Sequence, residues 1–196
     1  EENGMINEID EWVIRQACQI ASKWESNAKV AVNISAKAIC HAGVTDTVRN
    51  IILETGLSPS RLELEVTETA LIHDLNRALH NLRQIKALGI SIAMDDFGTG
   101  YSSLSLLNSF PFDRIKIDKS FIQAIGQTAR ADTIFRAVVG LGTALQVPVL
   151  VEGVETREQL DFAKAQGCNE FQGYYFGRPV PEAETYAIAS GRAQGN

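Results

Sequence analysis

Residues 92–103 read IAMDDFGTGYSS. The apolar run that starts at Ile90, broken only by Ser91, ends on two adjacent carboxylates, Asp95 and Asp96. Two glycines, a tyrosine and two serines follow. A short apolar run bounded by glycine is the pattern of a buried strand. A desolvated carboxylate is costly unless it is paired or bound to a cation, so the end of this strand needs a partner. The same ending recurs along the chain. VAVNIS ends near Asn33, RLELEVTE near Glu65 and Glu68, and RIKID at Lys116 and Asp118. VLVEGVE ends at Glu152 and Glu155, and FQG carries Gln172.

Between these strands lie helical patterns. Ile9, Val13, Ala17, Ile20 and Ala21 place a helix over Ile6 to Lys23, and a second spans Thr45 to Thr55 with Gly56 as its stop. Leu75, Leu79, Leu82 and Ile85 share one face of a helix over Asp74 to Leu88. LSLLN is a short helix, Thr133 to Leu145 an apolar one, Thr156 to Gln166 another, and PEAETYAIA the last. Strand and helix thus alternate about six times, which predicts a parallel sheet with crossover helices. An open doubly wound sheet gathers its site at one switch point, whereas a barrel gathers residues from the carboxyl ends of many strands. Polar groups at every strand end favour the barrel. Carboxylate and amide oxygens gathered there suit a hard cation such as Mg²⁺ or Mn²⁺.

Composition narrows the function. The 196 residues fit one domain, and 45% hydrophobic with 21% charged residues is ordinary for a globular chain. A net charge of -6 without a basic stripe argues against binding duplex nucleic acid. No apolar run is long enough to span a bilayer, and no signal peptide opens the chain, so a cytoplasmic setting is expected, with any membrane anchor outside this region. Cys18, Cys40 and Cys168 are scattered and read as reduced thiols. His41, His73 and His80 do not cluster with them, which makes a Cys/His zinc site improbable.

Structural roles compete at single positions. Glu155 fits an acid at a helix N-terminus, Asp113 and Asp118 fit turn caps, and Glu63 fits the solvated face of its strand. DFG occurs without the other kinase motifs, and GTG alone is a weak phosphate-loop signal. Lys116 sits between Ile115 and Ile117 and faces opposite to them. If the isoleucines meet the helices, Lys116 points into the barrel, where it pairs with acids, orients or deprotonates a water, or does both. Asp95 and Asp96 point opposite ways on an extended backbone, so each is free to serve its own cation.

Taken together, VNIS, LELEVTET, DDFGTGYSS, RIKIDKSF, VEGVET and FQGYYFGRPVP resemble the EAL family of cyclic di-GMP phosphodiesterases, in order and over nearly the whole chain. The resemblance implies an α/β fold, a (β/α)8 TIM-like barrel whose first strand runs antiparallel to the rest. It implies hydrolysis of cyclic di-GMP to linear pGpG by in-line attack with two Mg²⁺ or Mn²⁺ ions, Ca²⁺ being inhibitory. By position, Asn33, Glu65, Asp95, Asp96 and Glu152 match metal-site residues. Lys116 matches the lysine at the attacking water, with Glu152 supporting that centre. Gln172 and Arg178 match substrate-side residues, as do Asn33, Asp95 and Lys116. Glu68 matches the brace of a regulatory loop, Phe97, Gly98, Thr99, Gly100, Tyr101, Ser102 and Ser103, which couples metal binding to homodimerisation. Fusion to GGDEF, PAS or other sensory domains is also implied.

One departure stands out. No Glu-Ala-Leu triplet occurs in the chain, although the family is named for it and its Glu is a metal ligand. EENGMINEIDEWV resembles the stretch that follows the triplet, so about six of eight βα units and all but about fifty residues of the domain are present. Residues 1–196 therefore read as an N-terminally incomplete domain of a longer protein, inactive or weak alone. A degenerate domain that binds cyclic di-GMP without cutting it is the alternative. The intact set from Asn33 to Gln172 favours the enzyme.

Overall fold

The structure is a computed structural model that describes residues 5–71, 74–98 and 104–189. Six strands form one parallel sheet in sequence order: β1 (Val30–Asn33), β2 (Leu62–Thr67), β3 (Ser91–Phe97), β4 (Arg114–Ile117), β5 (Val149–Val151) and β6 (Glu170–Phe171). The sheet curls into a half-barrel, in line with the barrel fold expected from the alternating strands and helices.

Strand parity explains the curl and the core. Ala31 pairs with Glu63, Asn33 with Glu65, Ala93 with Arg114, and Lys116 with Leu150, all in register and all on the inner face. The intervening residues face outward to the helices. Val32, Leu62, Leu64, Val66, Ile92, Met94 and Ile115 enter one apolar core, while Ile117 and Val151 enter a second. Lys116 therefore points inward, as its two isoleucine neighbours predict.

Ten residues of regular helix or more precede or follow several of these strands: α1 (Ile6–Ser22), α3 (Val44–Thr55), α4 (Leu75–Ala87) and α7 (Ala129–Leu145). Shorter helices are α2 (Ala36–Ile39), α5 (Leu104–Ser109), α6 (Lys119–Gln123), α8 (Arg157–Ala165) and α9 (Glu182–Ala189). Asp74 caps α4 by accepting from the Arg77 amide, and Gly56 ends α3 at φ 67°. α7 begins four residues before the apolar pattern does, because Thr128 accepts from the Ala131 amide and extends the helix upstream. α2 and α6 are single turns held by Ser35 and Asp118 caps, too short for a periodic signal. The cap reading of Asp118 holds. Asp113 instead accepts from the Ile92 amide and pairs with Lys86 at 2.6 Å.

Glu63 is a correction. It is 2% exposed and lies inside the half-barrel, paired with Arg114. Alternation with leucines put it on the non-core face of β2, but in a barrel that face is the interior, not solvent.

β3 also departs from the extended strand. Met94 pairs with Ile115 and Phe97 with Ile117, so two residues of β3, Asp95 and Asp96, stand opposite Lys116 alone. This is a β-bulge. Asp96 sits at φ 52°, a left-handed conformation that Asp tolerates better than most residues.

Candidate metal centre and active site

The polar residues predicted at strand ends converge on Lys116. Its Nζ lies 2.7 Å from Glu65 Oε2, 2.8 Å from Glu152 Oε1 and 3.1 Å from Asp95 Oδ1. Lys116 is 4% exposed, and Glu65 and Asp95 are each 7% exposed. β2, β3 and β4 deliver the first three residues, and Glu152 follows β5 directly.

The bulge decides where Asp96 goes. On an extended backbone its carboxylate would face the helices, away from Asp95. In the left-handed turn, carboxylate oxygens of Asp95, Asp96 and Glu152 all lie within 4.8 Å of one another. The opposed orientation expected for the two aspartates is therefore corrected: they share one cluster.

Charge in the cluster is unbalanced. Four carboxylates, Glu65, Asp95, Asp96 and Glu152, gather at Lys116, which pairs with three of them, and Lys119 adds a weaker attraction at Asp96. Burial pushes the Glu65 and Glu152 carboxyls above their usual range, and Lys116 only partly offsets this. Burial and then Asp95 push Asp96 up. Burial opposes charge on Lys116, but hydrogen bonds to Glu152 and Glu65 and the neighbouring carboxylates outweigh it and hold the ammonium above lysine's ordinary pKa. Close, hard oxygen donors with surplus negative charge fit a hard divalent cation.

Asn33 ends β1 beside Glu65 and is exposed. Glu68 is buried immediately after β2. Gln172 is exposed. Its main chain accepts from the Val154 amide and donates to Val151 O. Arg178 is exposed and lies 4.6 Å over the Tyr174 ring. No described hydrogen bond or ion pair joins Gln172 or Arg178 to Glu65, Asp95, Lys116 or Glu152. Phe97 is buried, and Gly98 sits at φ 95°, where a Cβ would meet the Phe121 ring at 2.6 Å. Thr99, Gly100, Tyr101, Ser102 and Ser103 lie outside the described residues. Glu155 precedes a capping box in which Thr156 and Gln159 cap α8.

The EAL domain family model matches residues 1–179. The chain belongs to the EAL family. It is 55% identical over 181 residues to an uncharacterised signalling protein of Caulobacter vibrioides, covering 92% of this chain and 22% of that protein. It is 41% identical over 191 residues to the bifunctional diguanylate cyclase/cyclic di-GMP phosphodiesterase MucR of Pseudomonas aeruginosa, covering 95% of this chain and 28% of that protein. The EAL chain thus spans about a quarter of the length of the curated relatives it matches. Its fold superposes on the MucR phosphodiesterase bound to c-di-GMP with a TM-score of 0.89, covering 94% of this chain and 76% of that one. It also matches Klebsiella pneumoniae BlrP1 in a manganese/c-di-GMP complex, with a TM-score of 0.84 at 30% identity, covering 90% and 45% of the two chains.

The lower part of the barrel interior was not recognised as polar from sequence. Arg114 pairs there with Glu63 and Glu170. The spacing Glu63–Glu65 and Arg114–Lys116 was the available signal, since residues two apart on a strand share a face.

Proposed function

We propose that the protein carrying this EAL region hydrolyses cyclic di-GMP to linear pGpG with two Mg²⁺ or Mn²⁺ ions. The observation that carries this reading is the convergence of Asp95, Asp96 and Glu152 beside Lys116 at the carboxyl ends of the strands. Relatives named for cyclic di-GMP phosphodiesterase activity support it. Asp95, Asp96 and Glu152, with Glu65 and Asn33, are the groups that would hold the ions. When bound, the ions would acidify water and stabilise charge on the phosphoryl oxygens.

The chain's own residues define the remaining roles. Lys116 stays charged, so it serves as a donor that orients the attacking water and steadies phosphoryl oxygen rather than as a base. Glu152, which pairs with Lys116 at 2.8 Å, supports that centre and is the carboxylate placed to take the water's proton. The hydroxide so formed adds to phosphorus, the bond to the ribose 3′ oxygen breaks, and that oxygen takes a proton from solvent water while Glu152 returns its own to solvent. Gln172 and Arg178 lie outside this cluster and serve the substrate side. The segment 97–103, braced by Glu68, couples ion binding to a homodimer. The region works as one module of a cytoplasmic or membrane-anchored signalling protein, beside GGDEF, PAS or other sensory domains.

The test uses the protein as its gene encodes it, incubated with cyclic di-GMP and Mn²⁺, with product read by chromatography. Stoichiometric pGpG, abolished by EDTA and not restored by Ca²⁺, is the expected result. Binding without turnover would replace the enzyme with a sensor.

A further inference from the structure

Two residues below the acid cluster lies a second polar layer with no part in the chemistry above. Arg114 opens β4, and its guanidinium pairs with Glu63 on β2 and with Glu170 on β6, where Nε lies 2.6 Å from Oε2. Each member stands two positions before a residue of the rim: Glu63 before Glu65, Arg114 before Lys116, Glu170 before Gln172. Residues two apart share a strand face, so Glu63 and Arg114 lie directly beneath Glu65 and Lys116 on β2 and β4, and β6 adds Glu170 to the lower layer.

Backbone ladders join only neighbouring strands. They set β2 against β3 and β3 against β4, and the second ladder is interrupted by the bulge at Asp95 and Asp96. Nothing in the ladders sets the span from β2 to β4 across the interior, which is the span that Glu65 and Lys116 bridge at 2.7 Å. The planar guanidinium has five donors in a fixed fork and can hold two carboxylates at once. Stability is a poor reason for such a triad, because Arg114 and Glu170 are partly exposed, where ion pairs add little, and a buried carboxylate such as Glu63 is costly to desolvate. The geometric role remains.

We propose that Arg114 is a positioning residue. By clamping β2, β4 and β6 one layer below the rim, it sets the separation at which Lys116 meets Glu65 and Glu152, and with it the shape of the cation-binding cluster. The effect on turnover rests on the function proposed above; the effect on ion binding does not.

The test compares wild type, Arg114→Lys and the paired apolar variant Glu63→Leu/Arg114→Met, each in the protein as its gene encodes it. Melting temperature, Mn²⁺ affinity by electron paramagnetic resonance of the free ion, and kcat and KM are measured together. The apolar pair is expected to melt near wild type yet bind Mn²⁺ about tenfold or more weakly, the range seen when support of metal ligands is lost. kcat is expected to fall by at least about tenfold with little change in KM, and Arg114→Lys to recover part of both losses, since it keeps the charge without the fork. Wild-type Mn²⁺ affinity and kcat in a well-folded apolar pair would overturn the proposal. Should that pair unfold, Arg114→Lys decides: weakened Mn²⁺ binding at an unchanged melting temperature supports positioning, and unchanged affinity overturns it. A wild type that binds Mn²⁺ but releases no pGpG would remove the proposed activity, while the affinities still report on Arg114.

Discussion

Asp96 concentrates the conflict between folding and binding in this chain. It is held in a left-handed bulge, next to Asp95 and Glu152, with its carboxyl pushed up by burial and by Asp95. Asn also tolerates that backbone region, so Asp96→Asn keeps the turn and removes one like charge. The ion-free variant is expected to melt above wild type, while its Mn²⁺ affinity falls; a lower melting temperature after EDTA treatment would contradict this. Lys116→Ala removes the ammonium that pairs with Glu65, Asp95 and Glu152. It is expected to lower kcat at least about a hundredfold in the pGpG assay, the scale of loss for a positioned catalytic group. The identities of these residues were legible from strand ends. The shared orientation of Asp95 and Asp96 was not, because two-residue alternation assumes an extended backbone and the bulge breaks it. Glu63 misled for a related reason: alternation separates two faces of a strand but does not say which one meets water.

At the scale of elements, local signals carried most of the outcome. RIKI matched β4 residue for residue, and the helices around Leu75–Ala87 and Val44–Thr55 followed from apolar spacing and their stops. The capping box of α8 is a single-site test of that local logic. Thr156→Ala removes the acceptor for the Gln159 amide and is expected to cost about 0.5–2 kcal/mol, read as a lower urea midpoint and faster amide exchange in α8. Gly98 tests the end of β3. It is left-handed and its missing Cβ faces the Phe121 ring, so Gly98→Ala must strain the backbone and displace the ring. A loss of about 1–3 kcal/mol is expected from chemical unfolding. α2 and α6 escaped notice because one turn of helix has no periodicity to read; their caps become visible only once the chain is folded.

For the whole molecule, the decisive quantity is the charge imbalance at the mouth of the half-barrel. In the ion-free protein, Glu65 and Glu152 hold protons more tightly folded than unfolded. Their contribution to stability is therefore present below the unfolded carboxylate pKa and is lost as pH rises through the raised folded values. A divalent ion reverses the sign, because it binds the ionised form. The rise in melting temperature produced by Mn²⁺ should thus grow with pH across the carboxylate range and disappear with EDTA. At a free ion concentration a hundredfold above Kd the gain is about 2.7 kcal/mol. A Mn²⁺ effect independent of pH between acid and neutral conditions would refute the assignment of these carboxylates. The sequence by itself determined the alternation of strands and helices, the family, and which polar residues stand at the carboxyl ends of the strands, because each depends on local order along the chain. Only the tertiary structure decided that Asp96 turns toward Asp95, that Glu63 is interior, and that Arg114 lies beneath Lys116. Those facts depend on a bulge and on sheet curvature, which bring β2, β4 and β6 together across the barrel without any local mark in the residues between them.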